Sequence, residues 1–223
     1  MTDEAWQIVF FTIRIAALST LLILPFGIGI AWLMTRRNWP GKAIVETLVM
    51  LPLFVPPVAT GLVLLMLFGR YGVLGSALQR VFGVEIVFTW RAVVLACAVM
   101  SFPLLARTAQ SAFEGVNPRL EGIARTLGAN EWRVFATITL PLAFRGILAG
   151  AVLAFARAMG EFGATAIVAG MIPGKTMTIS LSIYQNIQLG HDTAALPLLL
   201  VSIGIVFITV FCGQIISRQR RPL

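Results

Sequence analysis

The chain has few charged residues. Only 12% of its 223 residues are Asp, Glu, Lys or Arg, whereas 58% are hydrophobic. Soluble globular domains carry about 25% charged residues. The composition therefore excludes an ordinary soluble domain and indicates an integral membrane protein.

Residues that bind metals or form disulfides are also scarce. His191 is the only histidine, which excludes a site built from several histidines, and the two cysteines, Cys97 and Cys212, lie within apolar runs. A disulfide framework or a zinc site is therefore not expected. The sequence predicts no catalytic residue, no metal site and no cofactor.

Long apolar runs are abundant. A helix needs about 20 apolar residues to cross a bilayer. The predicted spans are residues 8–34, 43–68, 92–113, 140–160 and 194–216. The expected fold is an all-α integral membrane protein of one domain, residues 1–223, with about five transmembrane helices. A sixth span stays open if residues 164–184 re-enter the membrane.

Proline interrupts the second predicted span. Pro52, Pro56 and Pro57 lie near its middle. Proline has no backbone N–H and its ring collides with the preceding turn, so this helix must bend or break. Residues 69–91, which follow, are predicted to be a polar stretch that is either re-entrant or at the surface.

The basic residues predict the orientation of the spans. The net charge is +8. If residues 118–141 are cytoplasmic, eleven Lys or Arg lie inside and four lie outside, and cytoplasmic loops of membrane proteins carry such an excess. The eleven are Arg36, Arg37, Lys42, Arg107, Arg119, Arg125, Arg133, Arg145, Arg218, Arg220 and Arg221. The four are Arg70, Arg80, Arg91 and Lys175. The C-terminus is then cytoplasmic, and the charge does not require a nucleic-acid partner.

Residues 118–141 form the longest charged segment and lie between the third and fourth spans. A helix, a turn at Gly128 to Asn130 and a second helix are predicted, because Gly and Asn favour turns, and Pro141 is expected to end the second helix. Such a two-helix element at the membrane surface is suited to binding a partner protein.

The spacing within this segment matches a known pattern. Ala124, Gly128, Ile138, Leu140 and Pro141 are in register with Glu-Ala-Ala, three residues, Gly, nine residues, Ile, one residue and Leu-Pro. The segment resembles the EAA coupling loop of the membrane subunits of binding-protein-dependent ABC importers. We call residues 118–141 the coupling loop.

The resemblance implies that the coupling loop docks into a groove of a cytoplasmic ATPase. Gly122 and Ile123 stand where the pattern has Glu and the first Ala, and Glu121 comes one residue before the Glu position. Val134 is expected to dock together with Trp132 and Phe135. The candidate coupling residues are Glu121, Ala124, Gly128, Trp132, Phe135 and Pro141.

A second candidate site lies late in the fourth span. Arg157 and Glu161 are four residues apart, so a helix would place them on one face, and an ionisable pair within a span is costly unless it is paired or meets water. Gly160 and Gly163 flank Glu161 and allow bending or close packing. The pair is read either as a gate that rearranges during transport or as a structural ion pair.

Residues 157–165, RAMGEFGAT, and 172–176, IPGKT, carry a more specific resemblance. They are similar to the permease subunits of molybdate ABC transporters, with sulfate and thiosulfate permeases next. The resemblance implies a prokaryotic inner-membrane importer of molybdate or tungstate. It also implies two permease copies, two ATPase subunits and an extracytoplasmic oxyanion-binding protein.

The residues alone leave several alternative functions open. A sulfate or thiosulfate permease would share these features. A membrane-embedded enzyme would need more than the one acid, Glu161, for which the sequence offers no His or Cys nearby. A channel or a membrane anchor would not need the coupling loop. The phosphate-loop-like AGMIPGKT, residues 169–176, follows a span rather than a strand, so ATP hydrolysis is expected on another subunit.

Overall fold

The computed structural model describes residues 3–36 and 39–218, which contain helices and no β-strand. The predicted all-α class is confirmed for this part of the chain. The helices are α1 (Asp3–Arg36), α2 (Lys42–Phe54), α3 (Pro57–Phe68), α4 (Val73–Phe82), α5 (Trp90–Glu114), α6 (Pro118–Thr126), α7 (Glu131–Val134), α8 (Leu140–Met159), α9 (Gly163–Val168), α10 (Ile179–Gln188) and α11 (Asp192–Arg218). Three of the eleven basic residues assigned to the cytoplasmic side lie outside the described residues, namely Arg37, Arg220 and Arg221.

Four helical runs in the described residues are long and apolar enough to cross a membrane. They are Asp3–Thr35, Trp90–Glu114, Glu131–Met159 and Asp192–Ile215. The pair formed by α2 and α3 adds a fifth if it counts as one broken span. This number agrees with the predicted five.

The prolines break the second predicted span as expected. The axes of α2 and α3 are bent by 112°. Helix α2 ends at Phe54, Val55 is extended, and Pro57 begins α3. Proline is favoured at the first position of a helix because its missing N–H would have no partner there.

Helix α5 forms the centre of the fold, with α1 and α8 packed against it. Small residues permit the close approach. A Cβ on Gly27 of α1 would lie 2.7 Å from the Leu105 side chain of α5, and a Cβ on Gly150 of α8 would lie 3.1 Å from Thr108. Such small residues let transmembrane helices pack with their backbones close together.

Short helices occupy two regions between the long helices. Residues 69–91, predicted as a polar re-entrant or surface stretch, contain the helix α4. Between α8 and α11 the chain forms α9 and α10, of 6 and 10 residues. Neither is long enough to cross a bilayer, so residues 164–184 do not form a sixth span.

The predicted end of the second coupling helix at Pro141 is wrong. Helix α7 continues into α8 through a π-helical turn, Phe135–Thr139, which gives one helical run from Glu131 to Met159. In that turn the Leu140 N–H donates to the Phe135 carbonyl, five residues before it. The wider turn relieves the collision that a proline ring makes with an α-helix, so the helix continues past Pro141.

Candidate coupling and gate sites

The coupling loop begins and turns through local hydrogen bonds. Asn117 caps α6, since its side chain accepts from the Arg119 N–H at 3.0 Å. At the end of α6 the Ala129 N–H donates to the Ala124 carbonyl and the Gly128 N–H donates to the Arg125 carbonyl, each at 3.0 Å. Gly128 has φ +85°. This is a Schellman C-cap, whose left-handed residue is usually glycine.

Ionic contacts hold the two parts of the coupling loop together. Arg125 contacts Glu131 at 2.7 Å and Glu121 at 3.4 Å. The Thr139 hydroxyl donates to the other Glu121 oxygen at 2.5 Å. The hydrogen bond to Glu131 raises the pKa of Arg125 further above its usual value. Glu121, although one residue early for the family pattern, therefore connects α6 to the π turn.

The coupling loop exposes a set of large apolar side chains. Leu127 is 82% exposed and Trp132 is 70% exposed. Leu120 and Ile123 of α6 are also exposed. The predicted docking set contained only Trp132 of these four. Apolar residues at positions 120, 123 and 127, three and four apart outside the membrane spans, are the sequence signal that could have identified the others.

Two residues of the predicted docking set face inward instead. Val134 is fully buried, so its prediction as a docking residue is wrong. The Phe135 ring lies 4.9 Å from Trp32 of α1 and 6.1 Å from Phe113 of α5, measured between ring centroids. Trp132 also contacts Trp32, at 5.7 Å. The inward side of the coupling loop is therefore packed on α1 and α5.

The second site is an ion pair at the end of α8, in which the carboxylate is buried and the arginine is partly exposed. Arg157 Nη1 lies 2.8 Å from Glu161 Oε2, and the Glu161 side chain is 1% exposed. The other carboxylate oxygen accepts from the Ala164 N–H at 2.9 Å. Gly160 ends α8, so Glu161 lies just beyond the helix. Glu161 thus pairs with Arg157 on one side and caps α9 on the other.

Helix α9 packs against α3 through glycines. A Cβ on Gly163 would lie 2.7 Å from Pro57 Cβ, and a Cβ on Gly61 would lie 2.8 Å from the Ala164 carbonyl oxygen. The ion pair is therefore next to the contact between α9 and the second half of the broken span. Close packing was one of the two roles anticipated for Gly163.

The structure brings Cys97 to this site, although it is far away in the sequence. Cys97 Sγ lies 3.6 Å from the Ala158 carbonyl oxygen and is buried. The expectation that no cysteine lies near the Arg157–Glu161 pair is therefore wrong, because the fold brings Cys97 close to it. No group of three or more His, Cys, Asp or Glu side chains among residues 3–36 and 39–218 could hold a metal ion.

A cleft adjoins the segment between α8 and α10, residues 160–178. The cleft has a volume of about 740 Å³. Its lining includes Glu4 and Gln7 of α1, Lys175, and Gln185 and Asn186 of α10. Thr176 fixes the nearby backbone, since its hydroxyl accepts from the Ile172 N–H and donates to the Gly170 carbonyl, each at 3.0 Å. Polar side chains therefore form part of the lining of the cleft, next to a backbone held by Thr176.

Comparison with curated proteins gives matches along almost the whole chain. The chain is 47% identical over 222 residues to the molybdenum transport system permease protein ModB of Escherichia coli, covering 99% of this chain and 97% of the relative. It is 42% identical to ModB of Haemophilus influenzae, covering 93% and 91%. The sulfate transport system permease protein CysW of Synechocystis is 34% identical, covering 93% and 75%.

Solved structures share the fold at lower identity. A chain of a bacterial alginate ABC transporter, in complex with a periplasmic protein carrying an alginate pentasaccharide, matches with a TM-score of 0.75 and 18% identity over 98% of this chain and 80% of the other. A chain of the methionine ABC transporter MetNI, in an inward-facing conformation, matches with a TM-score of 0.74 and 17% identity over 98% of both chains.

The family match agrees with these relatives. Residues 23–222 match the model of the binding-protein-dependent transport system inner membrane component. This range includes the coupling loop and the Arg157–Glu161 pair. The chain belongs to the family of inner membrane components of binding-protein-dependent transport systems.

Proposed function

We propose that this chain is the permease subunit of an ATP-driven importer of molybdate or tungstate. The observation that carries the proposal is the 47% identity over 222 residues to a molybdenum transport permease, against 34% to a sulfate permease. A separate ATPase subunit hydrolyses ATP, and an extracytoplasmic binding protein delivers the oxyanion. Selectivity lies mainly in the binding protein, because a pathway that must release its cargo does not hold it tightly.

The coupling loop is the proposed docking site for the ATPase. Its exposed apolar side chains, above all Leu127 and Trp132, would be costly in contact with water alone and are suited to a hydrophobic groove. Gly128 sets the angle between α6 and α7, and Ala124 accepts the hydrogen bond that closes this turn. Phe135 and Pro141 act behind the docking surface, where the helical run into the membrane begins.

The Arg157–Glu161 pair is the proposed gate. Helix α8 is 20 residues long, so the pair lies about 30 Å from the coupling loop along the same helical run. When the ATPases close, this run moves, and the contact of α9 with α3 opens or closes with it. Gly160 provides the bend after α8, and Gly163 provides the close contact that the movement would change.

The orientation supports this arrangement. The eleven Lys and Arg assigned to the side of the coupling loop, against four on the other, support a cytoplasmic position for the coupling loop and the C-terminus. The polar cleft lined by Glu4 and Lys175 then faces outward, where the binding protein docks.

A second copy of the chain completes the pathway. Phe54 is 79% exposed beside the break between α2 and α3. Non-helical backbone at membrane depth is tolerated where protein or a water-filled cavity covers it. The break therefore favours a position along the translocation pathway of a homodimer rather than against lipid.

Uptake of labelled molybdate tests the proposal. The chain is reconstituted in liposomes with its ATPase and binding protein, and tungstate and sulfate are the competitors. ATP-dependent uptake that tungstate blocks and sulfate does not is the expected result. Inhibition mainly by sulfate would assign the chain to sulfate transport, and flux without ATP would refute the importer.

A further inference from the structure

Helix α1 contacts both the coupling loop and the start of α10, which directly follows the 160–178 segment. It is one helix of 34 residues, Asp3–Arg36. Near its cytoplasmic end the Trp32 ring lies 4.9 Å from Phe135 and 5.7 Å from Trp132. Aromatic pairs at these distances prefer particular relative orientations, so a displacement of the coupling loop acts directly on α1 through Trp32.

The other end of α1 holds the start of α10. Thr12 is 2% exposed. Its hydroxyl donates to the Ile8 carbonyl at 2.8 Å and accepts from the Ile179 N–H at 3.0 Å. An N–H in the first turn of a helix has no acceptor within that helix. The Thr12 hydroxyl therefore supplies the acceptor for the first N–H of α10. Ile179 is fully buried, so water cannot replace this hydrogen bond.

The two contacts lie at opposite ends of one continuous helix. Thr12 and Trp32 are 20 residues apart, which is about 30 Å along an α-helix. Gly27 holds the middle of α1 against Leu105 of α5. Pro25 lies between the two contacts and interrupts one backbone hydrogen bond, which gives the helix a point of limited bending.

We propose that α1 transmits the movement of the coupling loop to the 160–178 segment, with Trp32 as its cytoplasmic contact and Thr12 as its outer contact. The inference rests on the proposed function and adds a second route to the direct one along α8. Thr12 and Trp32 are positioning residues: they act through Ile179 and Phe135 and do not contact the transported ion.

The test measures the movement at the outer end directly. Lys175→Cys, in a chain that also carries Cys212→Ser, is labelled with an environment-sensitive fluorophore, since Lys175 is exposed on the 160–178 segment. The complex with the ATPase is reconstituted in nanodiscs, and fluorescence is recorded on addition of ATP and vanadate. Trp32→Ala and Thr12→Val should each reduce the ATP-dependent signal by about three- to ten-fold, the effect of losing one buried contact, although ATP hydrolysis continues.

Controls separate transmission from general damage. Thr12→Ser keeps the hydroxyl and should restore the signal. Phe26→Ala removes a side chain of α1 that is 62% exposed and should leave the signal unchanged. Because both residues act in one route, the double variant Thr12→Val with Trp32→Ala should lose no more signal than the stronger single variant.

The outcomes distinguish this proposal from the proposed function. Full ATP-dependent signal in Trp32→Ala, or multiplied losses in the double variant, would overturn transmission by α1. Failure of the wild-type complex to take up molybdate, with the fluorescence pattern intact, would overturn the substrate and leave the transmission standing.

Discussion

Replacing Gly61 by alanine should weaken the contact between α3 and α9. The new Cβ would lie 2.8 Å from the Ala164 carbonyl oxygen and 2.9 Å from its Cα. Carbon atoms are optimally about 3.5–4.0 Å apart, so the two helices must separate by about 0.6–1.1 Å. Both opposing atoms belong to backbone, so no side-chain rotation can relieve the collision.

The cost follows from this overpacking. Inserting a methyl group into a well-packed contact costs about 1–3 kcal/mol. For a chain of this size each kcal/mol lowers the midpoint of thermal unfolding by about 2–4 °C. Gly61→Ala should therefore unfold about 2–12 °C below the wild type. Glu161 of the proposed gate accepts from the Ala164 N–H of α9. Moving α9 should therefore disturb the gate, so molybdate uptake should fall as well.

Gly29→Ala in α1 is the matched control. No atom lies within 4 Å of the position of its Cβ. Alanine favours a helix over glycine by about 1 kcal/mol, so this variant should unfold at the wild-type temperature or above it. Both variants are compared in mild detergent by the loss of helical circular dichroism. Equal unfolding temperatures for the two variants would refute the close contact of α3 with α9.

Three further substitutions test the two candidate sites. Gly128→Trp places a side chain at φ +85°, which costs about 1–2 kcal/mol, and should abolish molybdate uptake without unfolding the chain. Normal uptake by this variant would contradict the role of the turn. Gly122→Ala is the control, because its Cβ would meet no atom within 4 Å. Leu127→Asp should lower the affinity for the ATPase about ten-fold or more in a pull-down titration, and unchanged affinity would exclude this surface from docking. Glu161→Gln keeps an acceptor for the Ala164 N–H of α9 but loses the ion pair with Arg157, whose side chain is 27% exposed. It should lower the free energy of unfolding in denaturant by about 1–3 kcal/mol and reduce the uptake per ATP hydrolysed. A wild-type free energy of unfolding together with wild-type uptake would show that the pair is not part of the gate.

The long helices could be predicted from the sequence because lipid imposes a strong and simple pattern. A run of about 20 apolar residues has few alternatives to a spanning helix. The break near Pro56 was predictable for a similar local reason, since proline cannot donate a backbone hydrogen bond. The cap of α6 and the turn at Gly128 also follow from residues close together in the chain.

The remaining features depend on contacts between distant residues. The helix passes Pro141 because a π turn precedes it, and no local pattern predicted that turn. The inward position of Phe135 depends on Trp32, about 100 residues earlier. Cys97 joins the Arg157–Glu161 site only because α5 packs against α8. Single-sequence periodicity does not specify such neighbours, so the predicted docking set combined inward and outward side chains.

The π turn Phe135–Thr139 places one extra residue between the coupling loop and the rest of the helical run. Its hydrogen bond joins residues five apart rather than four, so the extra residue is absorbed within the turn and the helix on either side keeps its direction. Deleting Ala136 should therefore convert the turn to regular α-helix and leave Leu127 pointing as it does now, but the Pro141 ring would then collide with the preceding turn and bend the run at this point. A one-residue deletion in this turn should thus be tolerated only together with the replacement of Pro141.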